Sequence, residues 1–288
     1  MKVAIMANLT RERAFAVTVK VCEKLRELGI DYAFNDEFKN RLVRIPLASF
    51  EDVSTLFSSC DIVICIGGDG TVIHTAKIAS AYGKKILGIN AGRIGFLCDV
   101  DADELFYLDK LLTGEYNVCS RMMLSTEITR DGKMIANEHV LNDVVFGRGT
   151  EISLCNISVK VNGKQILNYI ADGIILSTPT GSTAYSMSAG GPIIEPTLEA
   201  IMLTPICPQS LVSRPFIFDG NAEFEVVCKP MHVGSDPGLS CDGGETMLLQ
   251  DFDVVTVRRS SLTADIISIR SDNFIDVLNR KTEFKSER

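Results

Sequence analysis

Ile64-Cys-Ile-Gly-Gly-Asp-Gly-Thr71 joins an apolar segment to a glycine-rich turn that carries a carboxylate. The apolar residues from Asp61 to Ile66 are nearly continuous, which predicts a short strand buried on both faces. Gly68 and Gly70 let backbone N–H groups approach an anion without interference from a Cβ atom. Thr71 to Ala81 is predicted as a helix whose N-terminus faces the same place. The stretch therefore predicts an anion-binding site.

Asp69 lies inside this predicted anion site. A carboxylate beside an anion-binding turn is unfavourable unless it holds a cation or takes a proton, so Asp69 is the first candidate for chemistry. The alternative is a strand-turn-helix corner in which Asp69 only caps the helix.

A second segment, Asp172 to Pro192, contains TPTGSTAYSMSAGG, which holds more hydroxyls and glycines than an ordinary core segment. This density predicts a loop that contacts something polar. Together with Asn90-Ala-Gly-Arg-Ile-Gly-Phe96 and Leu141-Asn-Asp-Val144, the two segments resemble the NAD kinase family in order and separation. The resemblance extends from the first strand to about Arg270, and the TPTGSTAY loop is its most specific part.

The resemblance implies the NAD kinase fold. We expect an α/β N-terminal domain, Rossmann-like with an open and mostly parallel sheet, over residues 1–118 plus about 262–288. A β-rich, sandwich-like domain that binds NAD is expected over 119–261. The implied reaction transfers the γ-phosphoryl group of ATP to the 2′-hydroxyl of the adenosine ribose of NAD. Mg²⁺ is expected to arrive with the nucleotide. The family is typically dimeric or tetrameric, and a homotetramer is expected here.

The resemblance also assigns roles to individual residues. Asp69 takes the proton of the 2′-hydroxyl, although a metal-binding role for Asp69 stays open. Asn90 supports the Asp69 turn, and Asp172 lies beside a bound nucleotide. The residues expected to bind nucleotide are Gly68, Gly70, Thr71, His74, Asn90, Phe96, Asn142, Asp143, Asp172, Thr183, Ala184, Tyr185 and Ser188. Three positions depart from the family pattern, namely Ile170, Gln209 and Gly244, which puts details of NAD binding in doubt.

Composition is typical of a cytoplasmic enzyme. The chain has 288 residues, with 37 Asp and Glu against 29 Lys and Arg, so broad nucleic-acid binding is not expected. Its nine cysteines contain no CxxC pair and are expected to be reduced thiols. We expect no signal peptide, because the apolar stretch of the first residues is too short, and no membrane span, because no apolar run approaches roughly 18 residues. The histidines lack a metal-ligand spacing, so no metal held by the protein itself is predicted.

Periodicity predicts the secondary structure. Apolar runs predict strands at Lys2–Ala7 and Lys85–Asn90, and helices are predicted at 11–28 and 101–112. After about Cys119 apolar and polar residues alternate, and Asn162-Gly163 is a strong hairpin turn.

Other classes of protein share parts of this pattern. A GGDGT-type lipid kinase would use the same turn but needs an exposed apolar acceptor site. A non-catalytic nucleotide-binding protein would keep the glycines without needing Asp69. The chain lacks GxxxxGK[ST] and GxGxxG, which argues against a P-loop kinase and a dinucleotide dehydrogenase.

Overall fold

The computed structural model describes residues 1–42, 49–92, 95–149, 154–210, 213–231, 236–270 and 274–282. The chain divides into two compact units. Met1–Ser120 and Ala264–Arg288 form the first unit, and Arg121–Thr263 form the second. The sequence-based boundaries at 118 and about 262 lie close to this division. The first unit is therefore discontinuous in sequence.

The first unit contains a parallel sheet and the long helices of the chain. Its elements in chain order are β1 (Lys2–Ala7), α1 (Glu12–Glu27), β2 (Asp31–Asn35), β3 (Ser49–Glu51), α2 (Val53–Ser59), β4 (Ile62–Gly67), α3 (Asp69–Ala81), β5 (Lys85–Asn90), β6 (Val100–Asp101) and α4 (Lys110–Thr113). The strands pair in the order β3, β2, β1, β4, β5, and β6 pairs with β5. All of these pairs are parallel.

The order of the strands reverses beside β1. β2 and β3 follow β1 on one side, whereas β4 and β5 lie on its other side. Open α/β sheets bind ligands at such a switch point, beyond the carboxyl ends of the strands. The two strands that meet there are tied together, because the Asn8 N–H donates to the Ile66 carbonyl at 2.9 Å. The fold therefore places the glycine-rich turn after β4 at the switch point.

One predicted helix of the first unit is wrong. Residues 101–112 form a short strand, a 3-10 helix at Leu105–Asp109 and the single turn of α4. The carboxylate of Glu104 accepts from Arg270 Nη1 at 2.7 Å and from the Asp101 N–H at 3.2 Å. These contacts hold the start of the segment in a turn, and the apolar spacing of three between Leu105 and Leu108 suits a 3-10 helix.

The second unit is built from antiparallel strands. They are most of β7 (Asn117–Arg130), then β8 (Lys133–Val140), β9 (Asp143–Arg148), β10 (Cys155–Val161), β11 (Lys164–Ala171), β12 (Gly173–Ser177), β13 (Ala200–Ile206), β14 (Phe216–Asp219), β15 (Phe224–Pro230), β16 (Pro237–Cys241), β17 (Met247–Leu248) and the first part of β18 (Val254–Ser268). A 3-10 turn at Thr180–Thr183 and the short helix α5 (Tyr185–Ser188) follow β12.

Two sheets of the second unit share one core. One contains β11, β10, β15 and β18, and the other has the order β14, β13, β12, β9, β16, β17. Buried residues of both sheets, among them Ile157, Phe224, Ile174 and Leu239, form a single cluster. The alternation at Ile157, Val159 and Val161 thus marks the inward face of β10, as predicted. This is the sandwich-like arrangement expected from the sequence.

The chain returns to the first unit at its end. Ile266 of β18 pairs with Ile86 of β5 in parallel, and α6 (Phe274–Thr282) follows. Asp99 fixes this return, because its carboxylate accepts from the Ile269 N–H at 2.6 Å and the Arg270 N–H at 3.0 Å. Within the described residues no helix is long and apolar enough to cross a membrane.

Candidate active site

The GGDGT turn is a direct transition from strand to helix. β4 ends at Gly67, Gly68 is extended, and α3 begins at Asp69. The helix therefore starts two residues before Thr71, the predicted first residue. The Gly68 carbonyl accepts the first helical hydrogen bond, from the Thr71 N–H at 2.9 Å. The N–H groups of Asp69 and Gly70 lie in the first turn, where no carbonyl of the helix itself can accept from them. A Cβ atom on Gly67 would lie 2.2 Å from Thr71 Oγ1, so the turn needs glycine there.

The carboxylate of Asp69 is held by the segment after β5. Asp69 Oδ2 accepts from the Phe96 N–H at 2.6 Å, and Oδ1 accepts from the Leu97 N–H at 2.9 Å. A Cβ atom on Gly95 would lie 2.0 Å from Oδ1, so only glycine leaves room for this contact. Each oxygen keeps a further lone pair. Asp69 is thus oriented by backbone and remains partly exposed.

Asn90 supports this segment rather than offering its amide to a ligand. Its side chain is buried, with Oδ1 accepting from the Gly92 N–H at 2.9 Å and Nδ2 donating to Asp101 Oδ1 at 2.9 Å. The sequence assigned Asn90 to the support of the Asp69 turn, and the contacts are consistent with that role. Phe96 is partly exposed beside Asp69, whereas Arg93 and Ile94 lie outside the described residues.

A cavity of about 250 Å³ opens beside the turn. Gly70, Thr71 and His74 line it from α3, and Asn8 and Glu37 line it from the region beyond β1 and β2. His74 is exposed there. Sequence reasoning missed Asn8 and Glu37, although the position of Asn8 directly after a buried strand was a usable signal.

A second cleft, of about 410 Å³, lies within the second unit. It is lined by Asn142, Asp143, Val145, Ala184, Tyr185, Ser240, Asp242 and Gly243. Four of these residues are predicted from the sequence, and they come from two separate segments. Its size is within the usual range of pockets for small molecules and cofactors, roughly 300–1,000 Å³. Sequence reasoning missed Ser240 and Asp242.

Asn142, one of the residues that line this cleft, has an unsatisfied acceptor. Its Oδ1 atom is buried, and no described residue donates to it. Buried polar atoms without a partner are rare in folded proteins and call for an explanation. An amino or hydroxyl group of a bound molecule would supply the missing donor.

Asp143 is a buried carboxyl in the same cleft. Only 4% of the residue is exposed. Burial, and then the negative charge of Asp242, raise the pKa of the Asp143 carboxyl to about 7. Near neutral pH this group therefore exists in both its protonated and its ionised form.

The hydroxyls of the TPTGSTAY loop serve mainly to hold the loop. Thr178 Oγ1 donates to the Leu141 carbonyl at 2.6 Å, and Ser182 Oγ donates to the Pro179 carbonyl at 2.6 Å. Ser186 Oγ bonds with Thr204 Oγ1 at 2.8 Å. All four of these hydroxyl residues are buried. The expectation that the dense hydroxyls contact a ligand is therefore wrong for Thr178, Ser182 and Ser186.

Of the other four residues predicted in this loop, two line the cleft and two do not. Ala184 and Tyr185 line the cleft, and 46% of Tyr185 is exposed. Thr183 Oγ1 donates to the Thr180 carbonyl at 3.2 Å, and Ser188 is exposed at the end of α5. Neither Thr183 nor Ser188 is among the residues that line the cleft.

Asp172 lies in an adjoining cleft of about 200 Å³. Its carboxylate is 3.7 Å from Arg148 Nη2, and Val145, Tyr185 and Ser240 line both clefts.

The three departures from the family pattern all lie at the surface. Ile170, Gln209 and Gly244 are exposed, and the Gln209 N–H donates to the Ile170 carbonyl at 2.8 Å.

Comparison with known proteins identifies the family. The model of the ATP-NAD kinase N-terminal domain matches residues 3–116, and that of the C-terminal domain matches residues 141–269. The NAD kinase of Geobacter sulfurreducens is 39% identical over 284 residues, which are 98% of each chain. That of Citrifermentans bemidjiense is 35% identical over 98% of each chain.

Two solved structures share the fold. A yeast NADH kinase complexed with NADH has a TM-score of 0.89 at 23% identity, covering 100% of this chain and 89% of the yeast chain. An NAD kinase from Archaeoglobus fulgidus in complex with ATP has a TM-score of 0.72 at 22% identity, covering 92% and 93%. With both domain models and full-length relatives matched, this chain belongs to the NAD kinase family.

Proposed function

We propose that this protein transfers the γ-phosphoryl group of ATP to the 2′-hydroxyl of the adenosine ribose of NAD, which yields NADP. The observation that carries the proposal is the geometry of Asp69, whose carboxylate lies at the start of a helix after a glycine turn and is oriented by two backbone N–H groups. Family membership supplies the identity of the two substrates.

The donor phosphates bind at the switch point of the first unit. Backbone N–H groups at the start of α3 attract anions, and the adjoining cavity at Thr71 and His74 gives the nucleotide room. Phosphoryl transfer depends chiefly on positioning and charge stabilisation. The glycine turn serves both purposes.

Mg²⁺ accompanies the donor. This ion is usually held by one or two carboxylates together with substrate phosphates and water. Among the described residues, no group of three or more His, Cys, Asp or Glu side chains is placed to hold a metal ion. When bound, Mg²⁺ neutralises charge on the phosphates.

Asp69 acts as the general base. It takes the proton of the 2′-hydroxyl as the oxygen attacks the γ-phosphorus, while the bond from that phosphorus to the β–γ bridging oxygen breaks and ADP leaves. Proton transfer of this kind is worth roughly 10²- to 10⁴-fold in rate. The fixed carboxylate loses little orientational freedom when the hydroxyl arrives.

NAD binds in the cleft of the second unit. The unsatisfied Asn142 Oδ1 accepts from an amino or hydroxyl group of NAD, and the Asp143 carboxyl bonds a neighbouring polar group. Ala184 leaves room for the adenine ring, and Tyr185 offers an aromatic face. This assigns recognition to the second unit and chemistry to Asp69.

The protein is further proposed to work in the cytoplasm as a homo-oligomer, a dimer or a tetramer. All nine cysteines are free thiols, which is usual in a reducing compartment. Phe216 and Ile217 are exposed on β14, at an edge of its sheet, and offer apolar side chains for association on its two faces. A net charge of -8 disfavours nucleic acid as a partner.

The test is to incubate the purified protein with ATP, Mg²⁺ and NAD and to detect NADP with an NADP-specific dehydrogenase. NADP should form, and an NAD analogue with 2′-deoxyadenosine should inhibit competitively without being phosphorylated. Diacylglycerol and sphingosine should be inert as acceptors. Phosphorylation of the deoxy analogue, or faster turnover of a lipid than of NAD, would overturn the proposal.

A further inference from the structure

Asp242 lies in the turn that follows β16. Asp242 and Gly243 both have a left-handed backbone, with φ of +53° and +67°, and the Gly244 N–H donates to the Cys241 carbonyl at 3.0 Å. Asp-Gly is a preferred pair for a turn of this kind. The turn therefore explains why an aspartate is tolerated here, but it does not explain the contacts of the side chain.

Three backbone N–H groups of one short segment, distant in sequence, donate to that side chain. Asp242 Oδ2 accepts from the Leu141 N–H at 2.9 Å, and Oδ1 accepts from the N–H groups of Asn142 at 2.7 Å and Asp143 at 3.2 Å. The Asp242 N–H donates in return to the Asp143 carbonyl at 2.9 Å. Hydrogen bonds to an ionised carboxylate are roughly twice as strong as neutral ones.

Thr178 holds the carbonyl groups of the same segment. Its N–H donates to the Asn142 carbonyl at 2.9 Å, and its hydroxyl donates to the Leu141 carbonyl at 2.6 Å. Gly181 packs so closely that a Cβ atom would lie 2.1 Å from the Asn142 carbonyl oxygen. The Asp242 carboxylate thus holds the N–H groups of Leu141–Asp143, and Thr178 holds the carbonyl groups of Leu141 and Asn142.

The side chains of that segment are the ones left to face the cleft. Asn142 and Asp143 both line it, and Asn142 Oδ1 lacks a donor among the described residues. Asp242 is the charged neighbour of the Asp143 carboxyl. Arg148 and Asp172, the charged residues of the adjoining cleft, lie 3.7 Å from each other.

We propose that Asp242 is a positioning residue for NAD binding: its carboxylate holds the Leu141–Asp143 backbone so that Asn142 and Asp143 keep their places in the lining of the cleft. The inference rests on the proposed function and adds to it the device that holds the acceptor segment. Asp242 acts through its neighbours and need not touch the reacting atoms.

The test compares Asp242→Asn with the wild-type protein. Asparagine has nearly the same size but lacks the charge and one acceptor oxygen, so the KM for NAD should rise about 10-fold or more while kcat and the KM for ATP change less than about threefold. Calorimetric titration with NAD should show the same loss of affinity.

The pH profile, taken together with a melting curve, separates positioning from a loss of folding. In the wild-type protein NAD affinity should change around pH 7, because Asp143 titrates there. Removing the negative charge of Asp242 favours ionisation of Asp143, so in Asp242→Asn this midpoint should move to lower pH. A general loosening of the fold would also lower the pKa of Asp143, because burial is the larger cause of its rise, so the shift supports positioning only if the melting temperature of Asp242→Asn stays near that of the wild type.

Asp131→Asn is the matched control. Asp131 and Gly132 form the same left-handed pair, with φ of +48° and +73°, in the exposed turn between β7 and β8. This substitution should leave the KM for NAD and the pH midpoint unchanged. If Asp242→Asn folds poorly, Thr178→Val tests the same segment from its carbonyl side, and Thr178→Ser should restore affinity.

Wild-type NAD affinity in both Asp242→Asn and Thr178→Val would overturn the inference. So would equal losses in ATP and NAD affinity with an unmoved pH midpoint. The proposed function can fail separately, because a protein that binds NAD but makes no NADP would contradict the kinase and leave the positioning role standing. A wild-type protein that does not bind NAD would contradict both.

Discussion

Asp69 and Asp143 are both carboxyls in candidate binding sites, yet the protein treats them in opposite ways. Asp69 is partly exposed and receives two backbone hydrogen bonds, from Phe96 and Leu97. Asp143 is buried. Its charged neighbour Asp242 accepts hydrogen bonds from backbone N–H groups and does not neutralise the Asp143 carboxyl. The first arrangement fixes the direction of a group that can react. The second arrangement raises the pKa of a buried carboxyl, so that the carboxyl stays protonated to higher pH. This suits recognition of a ligand at a cost in stability.

The largest expected effect is on the chemistry of Asp69. Asp69→Asn keeps the size of the side chain but removes the proton acceptor, so kcat should fall by roughly 10²- to 10⁴-fold with little change in NAD binding. Steady-state kinetics and calorimetry measure the two quantities. A near-normal kcat would remove Asp69 as the base, and a collapse of NAD binding would make it a binding residue.

Asp143→Asn tests the second half of the comparison through stability. The native state raises the pKa of Asp143 from 3.8 to about 7, so the native protein binds a proton between these values and the unfolded chain does not. The stabilisation from this proton is complete below about pH 4 and is lost as pH rises through about 7. The free energy of unfolding therefore changes by at most about 4 kcal/mol between the protonated and the ionised state of Asp143.

Urea unfolding at pH 5 and pH 8 checks this. Asp143→Asn does not titrate, so its stability should vary less between the two pH values than that of the wild type. Asp131→Asn, at an exposed position, should keep the wild-type dependence. Parallel curves for wild type and Asp143→Asn would mean that Asp143 titrates normally.

Gly95→Ala tests whether the orientation of Asp69 matters. The new Cβ atom would lie 2.0 Å from Asp69 Oδ1, so the carboxylate must move, and kcat should fall by about 10- to 100-fold. Gly92→Ala is the control, because its nearest neighbour, Arg11 Nη1, is 3.8 Å from the added carbon. Equal kinetics for the two variants would show that the position of Asp69 is not critical.

Ala184→Leu should have the smallest effect. It adds bulk to the cleft lining, where Ala184 is partly exposed, so the KM for NAD should rise by about 10-fold with little change in thermal stability. Kinetics should therefore show the raised KM for NAD while melting curves show an unchanged melting temperature. A melting temperature that falls together with activity would show that Ala184 belongs to the core.

The same contrast explains what sequence could predict. β1, β4 and β5 lie within about one residue of their predicted bounds, because a buried parallel strand needs a continuous apolar run. The GGDGT turn was visible because glycine is required where the backbone is crowded, as at Gly67. Both signals are local in the chain.

The contacts that hold the candidate site are not local. Asp242 binds residues about a hundred positions earlier, and Glu104 binds Arg270 across an even longer separation. Nothing near Asp242 in sequence distinguishes its Asp-Gly turn from that at Asp131. The buried hydroxyl of Thr178 escapes sequence reasoning for the same reason, since its acceptor, the Leu141 carbonyl, is brought near only when the chain folds.

The return of residues 264–270 to the first unit also affects how the protein is made. A ribosome delivers the GGDGT turn early, but Ile266, which pairs with Ile86 of β5, emerges only after the whole second unit has been translated. Until then one edge of β5 lacks that partner and the Asp99 carboxylate lacks the backbone donors of Ile269 and Arg270. Exposed strand edges in nascent chains invite aggregation. Completion of the nucleotide-binding unit is therefore one of the last events of synthesis.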